Sequence, residues 1–171
     1  MTKPCERPYP GEEASALEIR LLADEYRSAA RCLWEHRQPG KPLSLAPFRF
    51  SAVHAIELYL TAYLRLSGYP NGELRAMQHG LCDRIRLAQR AGLRLRKRTL
   101  ANAALIDGNR EYLIARYGPE RVRDLSQPNQ VSALLEEVSG KVAAALPVSA
   151  TPSPESGGGH RGTPSARSLT P

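Results

Sequence analysis

Apolar residues recur at three- and four-residue intervals along most of the chain, and runs that alternate apolar and polar residues are almost absent. That period predicts an all-α protein, an up-and-down bundle of about five helices. The first helix is expected from about Glu12 to Trp34, with Leu17, Leu21, Leu22, Ala29 and Leu33 on its buried side, ending near Gly40. The second begins after Ser44 as its N-cap, accepts Pro47 in its first turn and stops at Ser67 before Gly68 and Pro70. Asn71 to Met77 reads as a short helical turn. Further helices are expected over Leu81 to Ala91, Thr99 to Tyr117 and Pro128 to Leu146.

Composition changes at both ends. The first eleven residues carry Pro4, Pro8, Pro10 and Gly11, so residues 1–11 are expected to be a flexible leader. After Leu146 the text PVSATPSPESGGGHRGTPSARSLTP holds too few apolar residues to offset ordering entropy, so residues 147–171 are expected to form a disordered tail. Residues 12–146 remain as one helical domain. The second helix is apolar on two sides: Leu45, Phe48, Ala52, Ala55, Ile56, Tyr59 and Tyr63 make a core face. Opposite it, Phe50, Val53, Leu58 and Leu64 surround His54, Glu57 and Thr61. In a bundle of this size the second face calls for cover by another chain, hence a homodimer.

The formal net charge of +7 suits an acidic partner such as RNA or DNA without identifying one. Its densest part runs from Arg84 to Arg98, where Arg86, Arg90, Arg94, Arg96 and Arg98 are candidate phosphate contacts, the last three placed in a loop. Aromatic residues that would stack on single strands do not interleave with them. Cys5, Cys32 and Cys82 are far apart and form no C-x-x-C pair, which argues against a disulfide framework or a cysteine zinc site and for a cytoplasmic protein. No uncharged apolar stretch reaches membrane-spanning length, so no membrane association is expected. The chain has no G-x-x-x-x-G-K-[ST], G-x-G-x-x-G or G-x-S-x-G motif, and no cofactor or metal is expected.

Three segments carry a resemblance. HAIELYLTAYL (His54 to Leu64) resembles the H-x-x-E-x-x-L-K-A-x-L helix of HEPN domains. QHGLCDRIRLAQRAGL (Gln78 to Leu93) resembles their H-D-L segment, and EYLIARYGPE (Glu111 to Glu120) resembles their Y-I-x-x-R-Y-P-D helix end. Thr61 stands where Lys is usual and Gly80 where Asp is usual, which removes two polar groups that a ligand would use. The resemblance implies a helical bundle, often dimeric, from prokaryotic defence and toxin–antitoxin systems. Some members are metal-independent ribonucleases, and others are non-catalytic partners of nucleotidyltransferases.

The ribonuclease members carry Arg-x(4 to 6)-His late in the bundle, where His moves protons and Arg neutralises phosphate. Arg49 and His54 have that spacing, as do Arg31 and His36, but both pairs fall on the first two helices and the fourth contains no His. The expected function is therefore a binding and interaction module, with an RNA-cleaving toxin built on Arg49 and His54 as the rival. On the fourth helix Asn102, Asn109 and Arg116 follow one another at seven-residue steps. Together with His54, Glu57 and His79 they are the candidate polar interface or ligand groove, with Tyr112 and Tyr117 beside it as core or interface residues.

Overall fold

The computed structural model describes residues 9–148. These form seven α-helices: α1 (Ala16–Glu35), α2 (Ala46–Leu66), α3 (Asn71–Ala76), α4 (Leu81–Arg90), α5 (Lys97–Gly108), α6 (Glu111–Tyr117) and α7 (Pro128–Ala145). Two 3₁₀ turns, Pro42–Leu45 and Pro119–Asp124, precede α2 and α7. No strand occurs among the described residues. No helix there is long and apolar enough to cross a membrane.

The helix ends follow local chemistry. Ser15 caps α1: its hydroxyl accepts from the Glu18 N–H at 3.1 Å, and the Glu18 carboxylate accepts from the Ser15 N–H at 2.8 Å. This reciprocal pair starts α1 at Ala16, four residues later than the apolar pattern suggests. Ser44 is not the N-cap of α2, because its hydroxyl is used by the preceding loop, where it accepts from the Gln38 N–H at 3.0 Å. Gly80 gives α4 no side-chain cap, and Asp107 of α5 supplies one instead, accepting from the N–H groups of Leu81 at 3.1 Å and Cys82 at 3.3 Å. The Cys82 thiol is pushed up to about 11 by burial and by the adjacent Asp107.

The expected fourth helix is two helices. Arg110 adopts the left-handed conformation (φ 52°, ψ 43°), so α5 ends at Gly108 and α6 starts afresh at Glu111. With the short α3, this raises the count from about five to seven. Lys97 and Arg98 lie in the first turn of α5, not in a loop.

The core is built around α2, which packs against α1, α4, α6 and α7. Ile56, Tyr59, Leu60 and Leu64 are fully enclosed, and α7 meets them with Val131, Leu134, Val138 and Val142. Ile114, Val122 and Leu125 make a smaller apolar cluster where α6 meets the second 3₁₀ turn. Two expectations about faces change here. On α1 the buried positions are Ile19, Ala23 and Ala30, while Leu21, Leu22 and Ala29 are exposed. A helix with apolar residues on more than one stripe has no unique phase until a neighbour selects one. On α2, Val53 and Leu64 are buried and Phe50 and Leu58 half-buried by this chain itself. Val53 and Leu64 therefore need no second subunit for their burial, while the part of this face around His54, Glu57 and Thr61 opens onto a cavity.

Residues 1–8 of the expected leader and 149–171 of the expected tail lie outside the described residues. Residues 9–11 do take part in the fold. The chain turns at Pro10 and Gly11, the Glu12 N–H donates to the Tyr9 carbonyl at 2.9 Å, and the Arg75 guanidinium lies 4.8 Å from the Tyr9 ring centre.

Candidate functional site

Glu57 projects from the middle of α2 into a cavity of about 450 Å³ bounded by Tyr9, Arg75, Gln78, His79 and Arg84. Its side chain is nearly enclosed, with the residue 6% exposed. One helical turn earlier, His54 Nδ1 stands 3.8 Å from Glu57 Oε2. That is beyond hydrogen-bond length, and His54 Nδ1 has no hydrogen-bond partner among the described residues. From the α3–α4 connection, His79 Nδ1 reaches both carboxylate oxygens, at 3.3 and 3.2 Å. Gln78, immediately before it, is left-handed (φ 45°), which turns the chain so that His79 faces α2.

Arg84 of α4 completes the group, and the charge pattern alone did not single it out. Only 8% exposed, it donates from Nε to the Thr61 hydroxyl at 3.4 Å and from Nη2 to the Leu74 carbonyl at 3.3 Å. Its Nη1 has no partner among the described residues. The Thr61 hydroxyl donates in turn to the Glu57 carbonyl at 2.8 Å. Thr61 thus lacks the positive charge of a Lys, but a guanidinium from another helix reaches the same turn. Gly80 has a steric reason of its own: a Cβ there would stand 3.0 Å from the Met77 carbonyl oxygen.

Aromatic contacts frame the two histidines. The His54 ring meets Tyr26 edge-on, with centroids 4.5 Å apart, and lies parallel to Phe50 at 6.0 Å. Arg116 of α6 places its guanidinium 4.5 Å from the Phe50 ring centre, and Tyr112 of the same helix packs 4.5 Å from His79. His54, Glu57, His79 and Arg116 therefore share one region, as the sequence suggests. Asn102 does not belong to it. The break at Arg110 destroys the single stripe, and Asn102 instead accepts from Gln130 Nε2 at 3.3 Å between α5 and α7. Asn109 is the C-cap of α5, and Tyr117 is exposed.

Arg49 has a separate role. Its side chain is buried, with Nη1 donating to Glu111 Oε2 at 2.7 Å and Nη2 donating to the Ser126 carbonyl. Glu111 Oε1 also accepts from the Ser126 N–H at 2.7 Å, so the ion pair ties α2 to α6 and to the approach of α7. Arg49 and His54 thus serve different clusters. Among the basic residues of α4 and α5, Arg86 pairs with Asp83 at 2.6 Å, and Arg90, Arg94, Arg96 and Arg98 are exposed. The Arg96 N–H donates to Glu137 at 2.9 Å, which leaves its side chain uncommitted. Among the described residues, no group of three or more His, Cys, Asp or Glu is placed to hold a metal ion.

Two imidazoles around a buried carboxylate, with Arg75 and Arg84 on the rim, can hold an acceptor-rich group and exchange protons with it. Burial pushes the Glu57 carboxyl up, but His54, His79 and Arg84 together outweigh it and hold the carboxyl below its ordinary value. A folded-state value below the unfolded one stabilises the protein above the ordinary value of 4.5 and is lost as pH falls through the lower value. The difference in unfolding free energy between wild type and Glu57→Gln should therefore shrink on acidification below about pH 4.5. Urea titrations across that range measure it, and a difference that grows in acid contradicts the assignment. Comparison of the chain with protein-family models, with curated proteins and with solved structures finds no match.

Proposed function

We propose that this chain is a HEPN-like binding and interaction module, an up-and-down bundle that offers the Glu57 cavity to a partner. The observation that supports it best is Arg84: a buried guanidinium lining an open cavity with one N–H group, Nη1, unpartnered. A buried donor without an acceptor is costly, and a carboxylate, phosphate or carbonyl oxygen brought by a partner would relieve it once the guanidinium turns into the cavity, since Nη1 is enclosed in the unbound chain. The partners proposed are proteins of a prokaryotic defence or toxin–antitoxin system in the cytoplasm, either a second copy of this chain or a nucleotidyltransferase. Secondary contact with RNA or DNA would come from Arg86, Arg90, Arg94, Arg96 and Arg98.

Ribonuclease action through Arg49 and His54 is the rival, and the position of Arg49 weighs against it. To meet a phosphate, Arg49 would have to leave Glu111 and Ser126, stranding a carboxylate that is fully buried. Purified protein incubated with single-stranded RNA and a chelator is expected to give no cleavage above background. Metal-independent cleavage abolished by His54→Ala and by Arg49→Ala, in protein still folded by circular dichroism, overturns the binding reading. Cleavage lost instead in Glu57→Gln and His79→Ala also overturns it, in favour of an enzyme built on the cavity.

A further inference from the structure

The segment ahead of α1 reaches the Glu57 cavity. Among the described residues, Tyr9 is the only one that lines the cavity from outside α2, α3, α4 and the turn between the last two. Its backbone N–H donates to Glu12 Oε2 at 3.1 Å, and Glu12 Oε1 lies 3.5 Å from Arg75 Nη2, so one carboxylate joins this turn to the cavity rim. Gly11 sits in the turn at φ 83°; a Cβ there would meet nothing within 4 Å, so backbone conformation and not space favours glycine. Arg75 therefore holds both an aromatic ring and a carboxylate of the same segment at the cavity mouth.

The fastening differs along the segment. From Glu12 onward it is firm: Asn71 Nδ2 donates to the Glu12 carbonyl at 2.6 Å, and Arg65 Nη2 donates to the Ala14 carbonyl at 3.1 Å. Arg65 Nη1 also donates to Asn71 Oδ1 at 2.5 Å, which fixes the two donors relative to each other. Toward Tyr9 the fastening is weak. The Arg75 and Glu12 side chains are 44% and 40% exposed, and an ion pair open to water to that extent contributes little. Tyr9 is itself 57% exposed. The stretch from Tyr9 to the Glu12 side chain can thus swing away while the Glu12 and Ala14 carbonyls stay anchored.

We propose that Tyr9–Glu12 is an autoinhibitory strap, and that the partner of the cavity docks through an acidic peptide segment whose carboxylate takes Arg75 from Glu12 as the strap swings out. The strap itself displays the chemistry that the mouth accepts, a carboxylate on a guanidinium beside an aromatic ring. Among the described residues of the lining, Glu57 is the one acidic group, set against Arg75, Arg84 and two histidines. A singly charged carboxylate meets less repulsion from Glu57 than a doubly charged phosphate does. The inference rests on the reading of the Glu57 cavity as a partner site, and adds what the partner brings and what holds it off.

The test is titration of the full chain with blocked hexa-L-glutamate, followed by calorimetry and by the amide chemical shifts of Gln78, His79 and Glu12. Shifts are expected at all three residues. Glu12→Gln should tighten binding about two- to fivefold, the strength of one exposed ion pair, because the internal competitor is gone. Glu13→Gln makes the same change of charge one residue away and should leave the affinity as it is. Arg75→Glu should weaken binding about tenfold or more by setting a negative charge against the incoming carboxylate. These side chains are half-exposed or exposed, so circular dichroism should be unchanged. Shifts at Gln78 and His79 with an affinity indifferent to Glu12→Gln, or raised equally by Glu13→Gln, overturn the strap and leave the cavity as a partner site. Absence of any shift at Gln78 and His79 by about 10 mM peptide, in wild type and Glu12→Gln alike, overturns the acidic partner and speaks against the cavity reading as well.

Discussion

Replacing Arg49 with Ala is expected to lower the unfolding free energy by about 3–5 kcal/mol. The Glu111 side chain has no exposed surface and, among the described residues, two donors, the Arg49 guanidinium and the Ser126 N–H. Removing the guanidinium leaves a carboxylate enclosed with half its compensation gone, and also frees the Ser126 carbonyl that Nη2 had satisfied. Small domains have roughly 5–15 kcal/mol in hand, so this one change brings the protein close to its stability limit. Urea denaturation measures the effect. Removing both partners, as in Arg49→Met with Glu111→Leu, should recover much of the loss, because neither charge is then stranded. If Arg49→Ala costs less than about 1 kcal/mol, Glu111 does not need Arg49, and the argument that keeps Arg49 from a ligand fails.

Leu64→Ala should cost about 2–5 kcal/mol, the range for emptying an enclosed leucine site. Leu64 is fully buried within one chain, among residues of the main core. The loss should therefore be the same at every protein concentration. An α2 face closed by a second subunit would behave otherwise, since a subunit contact contributes in proportion to the logarithm of concentration. Thermal melts of wild type and Leu64→Ala over a hundredfold range of concentration, about the span that makes such linkage visible, separate the two. A deficit that varies with concentration would return this face to an interface between copies.

Helical character was legible in the sequence because the apolar period is a property of each segment alone. The punctuation at Gly68–Pro70 and Pro119 and the start at Pro128 was legible for the same reason: these residues bias the backbone locally, whatever surrounds them. The break at Arg110 had a local sign too, the Gly108–Asn109 pair, which is a common helix ending. The apolar residues on both sides of it continued the helical spacing and masked it. His54 and Glu57 were placed on one side of α2 by spacing, and the tertiary structure agrees.

What the sequence by itself determined is thus the all-helical character, the approximate place of most helices and the residues that share a helix face. Only the tertiary structure decided which faces meet. It brought His79 to Glu57 across 22 positions, Arg49 to Glu111 across 62 and Asn102 to Gln130 across 28. It also buried Val53 and Leu64 of the second face of α2 with the chain's own helices and left Leu21 and Leu22 of α1 outside. Periodicity assigns an angle around a helix axis but no neighbour at that angle. Neighbours are chosen when the whole chain removes apolar surface from water and must then find a partner for every charge it has buried, and that condition has no local signature.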